Sequence, residues 1–204
     1  MPSIFKTSNN KMLDGKKIIR KNLRRKDLTN SCMRKRVLFL VLVLSFSRTV
    51  VAQVQEKEAN LKAAFIYNFT KYIEWDSSNN NASEFVIGVI GPTPVTQILN
   101  DIASNNTVNN KKIIVRQFNK PDEISNCEIL FIPEKSAFSL HEILSKVGKG
   151  VLTVSEETGY AKQGTAFNFF IQNDKLKFES NINVINASGL KAGSQLLKLA
   201  KLVD

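Results

Sequence analysis

The stretch EFVIGVIGP, Glu84 to Pro92, is apolar along almost its whole length, where a strand with one wet face would alternate apolar and polar residues. Such a run suits a strand packed on both faces. Three more follow: KKIIVRQF (111–118), CEILFIP (127–133) and GVLTVSE (150–156). Between them lie PTPVTQILNDIA (92–103), whose Pro and Thr suit a first helical turn, and Ser136 to Val147, where Leu140, Ile143, Leu144 and Val147 keep helical spacing. Apolar strands alternating with helices predict an α/β fold in three layers, with a largely parallel sheet of about four strands and helices on both faces.

Beyond the fourth strand, GTAFNFFIQ and KLKFES flank the polar link NDK, which predicts a C-terminal antiparallel hairpin at the sheet's edge. SGLKAGSQLLKLAKLV then reads as a closing amphipathic helix, with Leu190, Leu196, Leu197, Leu199 and Ala200 on one face. Upstream of the first strand, LKAAFIYNFTKYIEW (61–75) sets Leu61, Phe65, Asn68, Phe69 and Tyr72 three and four residues apart. That stripe predicts a helix with these side chains in the core, so that Asn68 would need hydrogen-bond partners from the protein. Tyr67 and Trp75 lie off the stripe and are the candidates for a partner-contact surface.

The formal charge of +11 is misleading about partners, because it sits at the front. Residues 1–36 hold twelve Lys or Arg against Asp14 and Asp27, and Arg48 adds one more. Sixteen basic and sixteen acidic residues remain from position 53 onward, so the folding part is neutral and nothing in its balance points to nucleic acid or anionic lipid. Arg34, Lys35 and Arg36 precede an apolar run from Val37 to Phe46, and Ala52 closes the segment. This is the pattern of a secretory signal with cleavage after Ala52: at ~1.5 Å per residue the eleven residues from Val37 to Ser47 span about 17 Å, well short of a ~30 Å hydrocarbon core, and an integral membrane protein is not expected. Residues 1–32 suit a misassigned start, with translation from Met33, or a basic tail; 33–52 form the signal, and 53–204 one domain.

Cys32 falls in the front segment, leaving Cys127 alone in the mature chain, either as a small buried hydrophobe or as an intermolecular thiol. His141 is the single histidine. With no second histidine, Cys pair or clustered carboxylates, no metal, cofactor or catalytic residue is expected. Gly88 and Gly91 read as a strand-to-helix turn at the usual ligand edge of an open α/β sheet, which keeps a periplasmic small-molecule binding domain as the alternative.

LKAAFIYNFTKYIEW, CEILFIP, GVLTVSEETGYAKQGTAFNF and KLKFESNINVINASGLKAGSQLLKLAK, in this order, resemble the YfiR family of exported bacterial proteins, from Ala59 to Leu202. The family's helix pattern falls on Phe65, Asn68, Phe69 and Trp75. Its edge-strand pattern falls on Gly164 and Asn168. Its FEIN motif falls on Phe178, Glu179, Ser180 and Asn181, with serine in the apolar third place. The resemblance implies a periplasmic, non-catalytic regulator that represses an inner-membrane diguanylate cyclase by binding its periplasmic domain, restraining cyclic di-GMP signalling and biofilm formation. A homodimer stays open, and with one mature cysteine the chain has no internal disulfide with which to gate a redox switch.

Overall fold

The computed structural model describes residues 55–75 and 83–204; the leader, its cleavage point at Ala52 and residues 1–32 lie outside them. A helix, α1, occupies residues 55–69. It is followed by β1 (Ile73–Glu74), β2 (Glu84–Ile90), α2 (Pro94–Asn105), β3 (Thr107–Val108), β4 (Lys111–Phe118), β5 (Ile129–Ile132), α3 (Leu140–Leu144) and β6 (Leu152–Ser155). The chain ends with β7 (Phe167–Gln172), β8 (Lys175–Asn181), α4 (Ile182–Ala187), β9 (Lys191–Ala192), α5 (Ser194–Leu197) and β10 (Lys201–Val203).

Eight strands form one mixed sheet in the order β10-β8-β7-β6-β5-β2-β4-β3. β4, β2, β5, β6 and β7 pair in parallel, as do β8 and β10, whereas β7–β8 and β3–β4 are antiparallel. The architecture is therefore mixed α/β, with more strands than the sequence predicts. The apolar runs have a direct cause: alternate residues of β2 and β5 enter two separate buried clusters. Phe85, Ile87, Val89, Ile129 and Phe131 pack with α1, α2 and the β7–β8 aromatics. Val86, Ile90, Leu130 and Ile132 pack with Phe118, Leu140 and Ile143. With both faces buried, neither has a polar set. α2 begins as its sequence suggests, Thr93 Oγ1 accepting from the Val95 amide at 3.4 Å and Pro94 opening the first turn.

Two expectations are corrected. The β7–β8 hairpin is not the sheet's edge, because β10 lies parallel beside β8, pairing Lys201 to Val203 with Glu179 to Asn181. The long closing helix is absent as well. Gly189 takes φ 78°, a left-handed conformation that stops α4, and Gly193 donates its N–H to the Tyr72 carbonyl at 2.7 Å. A Cβ on Gly193 would stand 3.2 Å from that same oxygen, so the chain hugs the end of α1 there and β9 pairs with β1. The leucine spacing imitates a helix period, but Leu190 and Leu196 are buried from opposite sides of this break while Leu199 stays exposed.

Candidate functional site

α1 is rotated from its expected phase. Its buried side chains are Ala59, Ala63, Ile66 and Phe69, and Thr70 and Ile73 continue the same stripe just past its end. Of the predicted core stripe only Phe69 belongs to them: Leu61 is 43% and Tyr72 39% exposed, and Phe65 is half-buried. Asn68 is exposed and accepts from Lys71 Nζ at 3.1 Å, so the expected buried asparagine with interior partners is overturned. At ~100° per residue the two stripes lie roughly a third of a turn apart. The cause is steric. The sheet beneath carries its own large rings, and Phe69 already meets Phe167 at 4.6 Å and Phe178 at 5.2 Å between centroids. Small alanines elsewhere on the inner face let the helix come down onto them.

The outer stripe Leu61, Phe65, Asn68 and Tyr72 is continued by the hairpin. β6 pairs with β7 only at Phe167 and Asn168, and β10 with β8 only from Glu179 onward, so Phe169–Gln172 and Lys175–Phe178 project past both neighbours. Asn173 and Asp174, at φ 53° and 56°, make the two-residue turn that NDK predicts. The Phe65 ring lies tilted, 6.0 Å from Phe169 and 5.8 Å from Phe178 between centroids. Ile171 and Leu176 oppose each other two residues further on, hence on the same face, with Ile171 53% exposed. Leu61, Phe65, Ile171 and Leu176 thus share one flank. On the reverse face Lys201 Nζ reaches Glu179 Oε1 at 2.9 Å and lies over the Phe170 ring.

Tyr67 and Trp75 are drawn inward. Both are half-buried and packed against the larger cluster. Tyr67 donates its hydroxyl to Asn106 Oδ1 at 3.2 Å; Trp75 stands edge-on to Phe85 at 5.1 Å and donates Nε1–H to the Glu128 carbonyl at 3.2 Å.

Two further family-motif residues, Asn168 and Asn181, belong to a buried polar clamp. Ser155 Oγ lies 2.7 Å from Asn168 Oδ1 and 2.8 Å from Thr165 Oγ1. With its single proton given to Asn168, Ser155 accepts from Thr165. Asn181 donates Nδ2–H to the Ala161 carbonyl at 2.9 Å, while its Oδ1 caps α4 at Val184. Gly164, at φ 118°, closes the intervening loop, where a Cβ would meet Leu144 at 3.2 Å. Ser180, the residue that departs from the motif, is fully buried and its hydroxyl has no hydrogen-bond partner among the described residues.

Gly88 is not part of a turn. It lies within β2 between Arg116 and Leu130, and a Cβ there would stand 2.6 Å from Phe118 Cε2, so its role is close packing of that ring. Gly91, at φ 72°, forms the turn alone and donates to the Phe118 carbonyl at 2.8 Å. His141 is exposed, and no group of three His, Cys, Asp or Glu side chains is placed to hold a metal among the described residues. α1 is instead tied down by charge. Lys62 bridges Glu58 and Glu156; burial would lower its pKa, but the two carboxylates outweigh that and hold it above the ordinary lysine value.

Cys127 is free and buried. Burial first, and the neighbouring Glu128 carboxylate second, push its thiol pKa from 9.0 up to about 12. The native protein should therefore carry roughly a thousandfold less thiolate than an ordinary cysteine at the same pH. Alkylation by iodoacetamide at pH 8, followed by mass, is expected to be slow in the folded chain and fast in urea. Cys127→Ala should cost about 1–2 kcal/mol and leave the fold intact. A covalent dimer on a non-reducing gel, lost on that substitution, would mean an intermolecular disulfide instead.

The described helices include none long and apolar enough to cross a membrane. In comparison with known proteins, the family model described as YfiR/HmsC-like matches residues 59–201. No curated protein matches the chain.

Proposed function

The chain belongs to the YfiR/HmsC-like family, and from that premise we propose that it is an exported, non-catalytic regulator. It works in the periplasm as a single domain from residue 53 onward, and it represses an inner-membrane diguanylate cyclase by reversible association with that enzyme's periplasmic part. The observation that carries this reading is the apolar outer flank of α1. Leu61 and Tyr72 are among the few large hydrophobic side chains left exposed in the described chain, and Ile171 on the projecting hairpin joins them. A domain with two buried clusters gains nothing for its own stability by leaving these out, whereas a partner that covers them removes apolar surface from water. Half-buried Phe65 supplies an aromatic anchor already fixed by its neighbours, so little side-chain freedom is lost on binding. The family-motif position Asn68 sits in the middle of this flank, where it offers hydrogen bonds to a partner.

The test is calorimetric titration of the purified chain with the periplasmic domain of a membrane cyclase from the same cell. Leu61→Asp and Tyr72→Asp should each melt within a degree or two of the parent, because neither side chain is buried, and each should weaken the complex at least ~tenfold. In cells the same variants should raise cyclic di-GMP while accumulating normally. Binding that survives both substitutions would remove α1 as the docking surface; no association with any cyclase would remove the proposed function.

A further inference from the structure

β4 has neighbours of unequal length. β2 pairs with it without interruption from Lys112 to Phe118, while β3 covers only Lys111 and Lys112 on the other side. Among the described residues no further strand lies there. From Ile113 to Phe118 the outward amides and carbonyls form a free edge of six residues, about 20 Å long at ~3.3 Å per residue. Such edges are ordinarily blunted by proline, a bulge, brevity or charged side chains; this one has no proline, an unbroken register and the β-branched run Ile113, Ile114 and Val115, so charge, from Lys111, Lys112 and Arg116, is what guards it, and an oppositely charged strand would not be repelled.

Charge selects the strand that can use it. Lys111, Lys112 and Arg116 lie in β4, Lys112 and Arg116 on one face by strand alternation, and Lys120 follows just beyond it. Arg116 is half-buried and the one arginine in the described chain, and its guanidinium makes no hydrogen bond or ion pair with the described residues. The next three carboxylates along the chain are engaged elsewhere: Glu128 accepts from the Val86 amide at 2.6 Å, Glu123 from the Asn119 amide at 2.8 Å, and Asp122 pairs with Lys146 at 2.6 Å. A second copy laid antiparallel would bring Arg116 near its own equivalent, and like charges across a ladder are destabilising. We propose that the β4 edge accepts an extended acidic segment of a partner protein as an added strand, its backbone paired along Ile113–Phe118 and one of its carboxylates held by the Arg116 guanidinium. This site is separate from the α1 flank and does not depend on it.

The probe is an acetylated hexapeptide alternating Glu and Val, with a Lys/Val hexapeptide as control, and the readout is amide hydrogen exchange of the purified chain by NMR. In the free chain, the outward amides between Ile113 and Phe118 should exchange at least ~tenfold faster than those bonded to β2. The acidic peptide should slow them, less so at high salt, and the basic peptide should not. Arg116→Gln should weaken that effect at least ~fivefold. If Arg116→Gln melts below the parent, Arg116→Lys, which keeps the charge, should restore most of the binding. Equal protection by both peptides, or by neither, overturns the proposal. Protection that rises with the concentration of the chain alone also overturns it and assigns the edge to a second copy.

Discussion

Phe69→Ala is expected to lose roughly 3–5 kcal/mol of stability, read as a shift in the urea midpoint, and this should be the largest effect of any single truncation in α1. Its ring is fully buried and lies within 6.2 Å of four others, those of Phe65, Phe167, Phe169 and Phe178. Removing it deletes apolar contact and leaves a cavity that rigid rings on a sheet cannot close. A domain of this size has about 5–15 kcal/mol in total, so the variant should melt near growth temperature and lose partner binding only as a by-product. Phe65→Ala should cost less, because half of that ring already faces solvent. Equal losses at the two positions would mean that the outer flank of α1 is structural and the docking surface lies elsewhere.

That difference between neighbouring phenylalanines marks what the sequence made legible in α1 and what it hid. The period was visible, and so was the helix. The phase was not, because a bulky aromatic stripe outweighs Ala59 and Ala63 on any hydrophobicity count, yet small residues are what a helix needs where it rests on rings supplied by strands 100 residues away. The strands read well for the opposite reason. Burial on both faces of β2 and β5 is a property of each run by itself, and a two-residue Asn-Asp turn is local chemistry. The C-terminal region failed where local signals conflicted. Lys198 to Leu202 carries helix-forming residues, but Lys201 is bound to Glu179 across a parallel ladder that no local pattern announces. α4 did carry a signal: Asn181 is a capping residue ahead of the apolar pair Val184 and Ile185. The projecting hairpin and the uncovered side of β4 depend on where neighbouring strands stop, which is a property of the assembled sheet alone.

Trp75→Ala decides between the two roles open to the one tryptophan. Its position off the helical stripe suggests a contact residue, but its ring stands edge-on to Phe85 and its indole N–H is spent on the Glu128 carbonyl. Truncation should therefore cost the free domain about 2–4 kcal/mol, shifted below the range of about 3–5 kcal/mol for a fully buried tryptophan because the ring is half-exposed. The carbonyl left behind is not orphaned, since it also accepts from the Leu152 amide at 2.8 Å, which keeps the loss below that of a broken buried pair. Trp75→Phe should recover most of the packing without the hydrogen bond and fall between the two. The measurement is paired: the urea midpoint of the free chain, and affinity for the cyclase domain under conditions where the variant is folded. A large stability loss with affinity within about threefold of the parent makes Trp75 the pin that fastens the end of α1 to β2 and β5, and leaves recognition to Leu61, Phe65 and Tyr72. An unchanged midpoint with affinity down more than ~tenfold would give the opposite assignment, with the exposed edge of the indole as the anchor and the docking surface turned toward the β2 side of the helix.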